Sequence, residues 1–177
     1  MTAHNDTPHD DTVHNAAAHD DTARTGLSTR QAPLKWVVVI DEDLPAGRAV
    51  NAAACMAAAV GRALPQLLGA DGRDGSGQVH PGLPWAGCSV LAADAATLHS
   101  LREKATAKED VFVVDMPEPA QTSRIYDEYL DLLAGTKHED LTYHAVGLVG
   151  PRNRISKLVG KLPLLRGRAN RPRNEGK

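Results

Sequence analysis

The chain has 177 residues, 42% of them hydrophobic but only 3% aromatic, and a net charge of −2. That length favours one domain whose core must be filled by Val, Leu, Ile and Ala. Two cysteines are too few for a disulfide framework, no apolar run approaches a membrane span, and no basic-then-apolar leader opens the chain, so a cytoplasmic location with no membrane contact is expected.

Residues 1–33 read as a disordered His/Asp-rich tail, because they hold almost no large apolar side chains to offset the entropy of ordering. A small repeat recurs there: His4-Asn5-Asp6-Thr7, His9-Asp10-Asp11-Thr12 and His19-Asp20-Asp21-Thr22. Imidazole and carboxylate are both transition-metal ligands, but a spacing of five puts no pair on one helix face. The segment is therefore read as a low-complexity leader, and neither a metal site nor a cofactor is expected in this chain.

The folded part is expected to span 34–165. Trp36-Val37-Val38-Val39-Ile40 is an unbroken apolar run of the kind that forms a strand covered on both faces. After Asp41-Glu42-Asp43, the residues Ala49, Ala53, Met56, Val60 and Leu64 recur at helical spacing, predicting a helix from about Gly47 to Leu64 with Pro45 at its start. Gly69 to Gly87 reads as a long loop; it lacks the Lys-Ser or Lys-Thr of a phosphate loop, and Trp85 in it either clamps a ligand or pins the loop to the core. Cys88 to Ala92 is a second strand, and Asp94 caps a helix that presents Leu98, Leu101 and Ala105. Both cysteines are read as reduced core thiols.

Val111 to Val114 is a third buried strand ending in Asp115, and Met116-Pro117-Glu118-Pro119 predicts an extended turn. A third helix is expected from about Gln121 to Leu133 with Ile125, Tyr129 and Leu132 inward. Tyr143 to Val149 is a fourth strand, followed by a short helix carrying Ile155, Leu158 and Val159. Residues 166–177 are expected to form a basic disordered tail; from Arg152 to Lys177 there are nine basic residues against Glu175 alone. Strand followed by helix, four times over, predicts an α/β layered domain with helices on the faces of a small sheet.

Two segments carry a family resemblance. Gly147-Leu148-Val149-Gly150-Pro151, with Ile155 to Leu165 after it, resembles the C-terminal strand and helix of type-2 peptidyl-tRNA hydrolases. The first strand with Asp43-Leu44 and Gly47-Arg48 is similar to that family's start. Val50-Asn51 and the extra third helix are similar to a bacterial relative, the "domain of unknown function two thousand" family. The resemblance implies a mixed four-stranded sheet flanked by helices, and by analogy a homodimer. It also implies where an ester-cleaving site would lie, and there this chain departs from the pattern. Arg48 stands where the hydrolases have Lys, and a guanidinium cannot give up its proton to act as a base. Ala52 to Ala57 lacks the Gln and His of the hydrolase helix, and Met116-Pro117-Glu118 replaces the glycine turn after Asp115.

Strand ends and helix N-termini gather on one edge of an α/β sheet, so Asp41, Asp43, Arg48, Asn51 and Asp115 are expected to share a cleft. Arg48 and Asp115 are the candidate catalytic pair, and Asp43 and Asn51 the candidate ligand contacts. Each has a plainer alternative: Arg48 an ion pair, Asp115 a turn cap, Asn51 a bond to a neighbouring loop. His144 reads as a structural strand histidine, since no Gly-x-Ser-x-Gly elbow offers a nucleophile. Cys55 as nucleophile lacks a base nearby. The expected function is a hydrolase-fold relative without the hydrolase catalytic set, binding a small ligand or a protein partner. A divergent peptidyl-tRNA hydrolase is the first alternative. A protein binding tRNA or other nucleic acid through the basic C-terminus is the second. With no aromatics among those charges, that arm offers phosphate attraction only.

Overall fold

The computed structural model describes residues 26–166. Four strands form the main sheet: β1 (Leu34–Asp41), β4 (Cys88–Ala93), β5 (Phe112–Pro117) and β6 (Tyr143–Pro151). Their order is β4-β1-β6-β5. β1 pairs parallel with β4 and antiparallel with β6, and β5 pairs antiparallel with β6, so the sheet is mixed as expected. The two central strands are the most apolar, because both of their faces are covered.

One face carries α1 (Ala46–Ala63), which buries Ala49, Ala52, Met56 and Val60. These pack on Trp36, Val38, Ile40, Met116, Ala145 and Val149. Small side chains bring the helix close. At Gly147 a Cβ would lie 2.7 Å from Val114 Cγ1, so only glycine leaves room there. The other face carries α2 (Ala95–Thr106) and α5 (Arg152–Val159), whose Leu98, Leu101, Ala105, Ile155 and Val159 meet Val37, Val39, Leu91 and Leu148. Asp94 caps α2 as predicted, accepting from Thr97 N–H at 2.7 Å.

Several expectations need correction. The loop between α1 and β4 contains a small hairpin, β2 (Gly72–Arg73) with β3 (Val79–His80). Its base is tight: a Cβ on Gly82 would fall 1.8 Å from the Gly69 carbonyl oxygen. Trp85 pins this loop, its indole N–H donating to the Gln66 carbonyl at 2.8 Å. The single third helix is two, α3 (Glu118–Thr122) and α4 (Tyr126–Gly135), with Ser123 and Ile125 in extended conformation between them. That break turns α4 away from the core, so Ile125 and Leu132 are exposed and not inward.

Met116 and Pro117 continue β5, where an extended turn was predicted. Both cysteines are exposed residues and not core thiols, although burial around its sulfur pushes the Cys88 thiol up to about 11. Packing starts before Leu34: Ala32 is buried, and the Arg152 guanidinium donates to the carbonyls of Ala32 and Thr29. The His-Asp repeat and the arm beyond Arg166 lie outside the described residues.

Candidate functional site

The site begins with an irregularity in strand pairing. Met116 pairs with Ala145, but the next residue, Pro117, pairs with Tyr143, which leaves His144 as one extra residue in β6. Such a bulge reverses the inside–outside alternation of a strand. Val146 and Leu148 face α2, and unbroken alternation would send His144 the same way. Instead Tyr143 packs into the α2-side core, and His144 turns to the α1 side, where it meets α3. A proline opposite the bulge fits, since it has no N–H to place in a regular ladder.

On the α1 side three side chains form a connected chain. Gln121 donates through Nε2 to the Arg48 carbonyl at 2.9 Å and to Asn51 Oδ1 at 2.8 Å. A backbone carbonyl can only accept, so the Gln121 atom facing it must be the amide nitrogen. Both of its protons are then in use, and Gln121 Oε1 is left as an acceptor. His144 Nδ1 lies 2.8 Å from that oxygen and therefore carries the ring proton. The lone pair of the neutral ring is on Nε2, which has no protein partner among the described residues and is not a fully buried atom. His144 itself is only 7% exposed.

Electrostatics keeps the ring neutral. Burial is the largest influence and lowers the His144 pKa below the ordinary 6.5. Glu118 and Asp41 push it up and Arg48 pushes it down, so all three charges lie within electrostatic reach of the ring. Asp41 closes the β1–α1 turn by accepting from Asp43 N–H at 3.0 Å, while Asp43 and Arg48 are exposed. The arrangement leaves one uncharged nitrogen acceptor where β6 begins, on a ring that feels the charges of Arg48, Glu118 and Asp41.

Asp115 is not part of this group. It alternates with Met116 and Val114 on β5, which face α1, and so points to the α2 face. There it accepts from Arg102 Nε at 2.5 Å, with both side chains about three-quarters buried. The single cleft holding Arg48 with Asp115 does not form; the sheet lies between them. Asn51 does find the neighbour that a helix-interior asparagine suggests, though the neighbour is on α3. Gln121 and His144 are the residues that sequence reasoning missed. The available signal was Pro117 in a strand opposite Tyr143-His144, which points to a bulge and hence to a reversed facing of the histidine.

A second polar cluster, on the α2 face, is closed on itself. Arg102 sits 5.1 Å over the Tyr143 ring, and the Tyr143 hydroxyl lies 3.3 Å from His138 Nδ1. The His99 ring N–H donates to the His138 carbonyl at 3.1 Å, and the two rings stack at 5.0 Å. Stacked rings aim their lone pairs in parallel, so His99 and His138 cannot converge on one ion. Among the described residues no group of His, Cys, Asp or Glu is placed to hold a metal, and no helix is long and apolar enough to cross a membrane. The basic end is also partly committed: Arg152 binds backbone carbonyls and Arg154 pairs with Asp110 at 3.1 Å.

The model of a family described as "Protein of unknown function (DUF2000)" matches residues 34–166. No curated protein matches the chain. Among solved structures, a protein of unknown function, Atu0240, from Agrobacterium tumefaciens strain C58 is similar at 17% identity with a TM-score of 0.68; the match covers 75% of this chain and 98% of that one. At that identity the likeness concerns the fold.

Proposed function

We infer that this chain, which belongs to the DUF2000 family, is a bacterial cytoplasmic binding domain on a type-2 peptidyl-tRNA hydrolase-like sheet, lacking the hydrolase catalytic set. Its ligand, or a group donated by a protein partner, sits at the strand-end site around Arg48, Asn51 and His144. The observation that carries this reading is the open Nε2 of a neutral, nine-tenths buried histidine, held in one tautomer by Gln121 and Asn51. That nitrogen is an accessible acceptor on an otherwise buried ring, so it has capacity left for a donor from outside the chain. The test is a thermal-shift screen with metabolites and anions on the wild type and on His144→Gln. The reading expects stabilisation in the wild type that the variant loses; shifts of equal size in both proteins would refute it.

Cleavage of peptidyl-tRNA is the second reading, favoured by the same lone pair. Nε2 could take a proton from water while Arg48 holds a phosphate or a developing oxyanion. Its assay is release of the acyl-amino acid from an N-blocked aminoacyl-tRNA. This reading requires activity that His144→Gln removes and Asp115→Ala leaves in place, because Asp115 is engaged with Arg102 on the far face.

A further inference from the structure

We propose that the groove between α2 and α5, on the face of the sheet opposite His144, binds a small carboxylate with an apolar chain, its charged head held by Lys104 and Ser100 and its chain lying on Leu101, Leu158, Val159 and Leu162. The inference goes beyond the reading above and stands independently of it.

The groove has a volume of about 390 Å³ and lies between α2, the last turn of α5 and the segment that follows it. Small-molecule sites combine an apolar floor with a few polar groups that fix orientation. Here Leu101 and Val159 belong to the buried core, while Leu158 and Leu162 pack against it and stay partly exposed. The polar wall is one stripe of α2, formed by Thr97, Ser100 and Lys104 at spacings of three and four residues. Lys104 is the cation of this lining, and among the described residues no carboxylate pairs with it. The reason is in the sequence: the helix positions within its reach hold Ser100, Leu101, Ala107 and Lys108, none of them acidic. Its neighbour Glu103 turns the other way, its oxygens 3.8 Å from His99 Nδ1 and 3.6 Å from His138 Nε2. A hydroxyl inside a helix often bonds back to a carbonyl one turn earlier, as Thr106 does to Arg102. The Ser100 hydroxyl makes no such bond among the described residues, so it is a second donor one turn from Lys104. Two neighbouring donors, one of them charged, match the two oxygens of a carboxylate. A phosphate dianion would meet one cation only, and an uncharged or cationic chain would leave Lys104 without a partner. Asp94 also lines the groove, but its carboxylate caps α2 by accepting from Thr97 N–H at 2.7 Å. Ten residues of helix, about 15 Å, separate it from Lys104, which exceeds the screening length of about 8 Å at physiological salt.

The experiment uses NMR of full-length protein with ¹³C-labelled leucine and valine methyl groups and ¹³C-labelled histidine. The Leu158 and Leu162 methyl signals are identified by their loss in Leu158→Ile and Leu162→Ile, and the His144 Cε1–H signal by its absence in His144→Gln. The probe is octanoate, titrated beside hexanoate, octanol and octylamine. Octanoate is expected to move both leucine signals saturably while the His144 signal stays in place. Hexanoate should bind about fourfold to fifteenfold more weakly, the loss of two half to fully buried methylenes. Octanol and octylamine should each bind about tenfold more weakly, through loss of the charge-assisted contact. Lys104→Gln should bring octanoate down to the affinity of octanol and leave octanol unchanged, and Ser100→Ala should weaken octanoate by a smaller factor. If octanol binds as well as octanoate, or if Lys104→Gln leaves octanoate unchanged, the assignment of the carboxylate to Lys104 is overturned. If no probe moves the leucine signals, or octanoate moves the His144 signal alone, the groove is not the site and the proposal is overturned, while the binding reading at His144 keeps its own test.

Discussion

The two faces of the sheet hold the same kinds of polar side chain and use them in opposite ways. On the α2 face, Arg102, Asp115, Tyr143 and His138 satisfy one another: an ion pair at 2.5 Å, a cation over a ring, a hydroxyl facing an imidazole nitrogen. On the α1 face, Asn51, Gln121 and His144 make an equally continuous chain, but its last atom, His144 Nε2, is left open among charges that do not touch it. A closed polar network fixes structure, and an open one has capacity left for a ligand. The single bulge residue decides which face receives the histidine.

The comparison can be broken most forcefully on the closed face. Asp115→Ala strands the Arg102 guanidinium and should cost about 2–3 kcal/mol in urea denaturation, with no change at the His144 signal. A cost below the error of the measurement would mean that the pair is not structural, and Asp115 would become a candidate again. Nearly as large is Gly147→Ala on the open face, where the new methyl would meet Val114 Cγ1 at 2.7 Å; overpacking of this kind costs about 1–3 kcal/mol. That variant should also move the NMR signal of the His144 ring, since Val114 must give way on β5, the strand that pairs with β6 beside the bulge; a silent signal would show that the site does not depend on the packing between these two strands.

A smaller effect follows from pH. His144 takes up a proton less readily folded than unfolded, because burial lowers its pKa from 6.5. Its contribution to stability is therefore whole above that pH and is lost as pH falls toward the lower folded value. Gln121→Glu puts a carboxylate beside the ring, which favours the charged form. Comparing urea midpoints at mildly acidic and neutral pH should show that this variant, although less stable overall, loses less on acidification than the wild type. A larger loss would reverse the sign and contradict the neutral ring. The least effect is expected from Arg154→Ala, whose partly exposed pair with Asp110 is worth about 0.5 kcal/mol or less.

Much of the fold was legible because it depends on local rules. The β-branched run of β1, the Asp94 cap and the 3.6-residue spacing of Ala49, Met56 and Val60 each announce an element, and each is where the pattern put it. The third helix was misread because Ile125, Tyr129 and Leu132 look like a helical stripe although Ser123 breaks the helix before them, and spacing alone does not say whether a partner element exists to cover them. The site was half legible. Arg48 and Asn51 sit at the strand-end edge as topology requires, but Asp115 was assigned there without regard to the strand's alternation, which fixes it on the other face. His144 was hidden by the opposite problem: alternation was trusted where a bulge had interrupted it. Facing is a property of register, and register depends on two strands that lie far apart in sequence.

The central claim is that His144 is a neutral imidazole with its proton on Nδ1 and a bare Nε2 at the strand-end site. Long-range ¹H–¹⁵N correlation of histidine side chains at pH 7 tests this directly. The account predicts a protonated Nδ1 and an unprotonated Nε2 for His144. A proton on Nε2, whether alone or together with Nδ1, would contradict it.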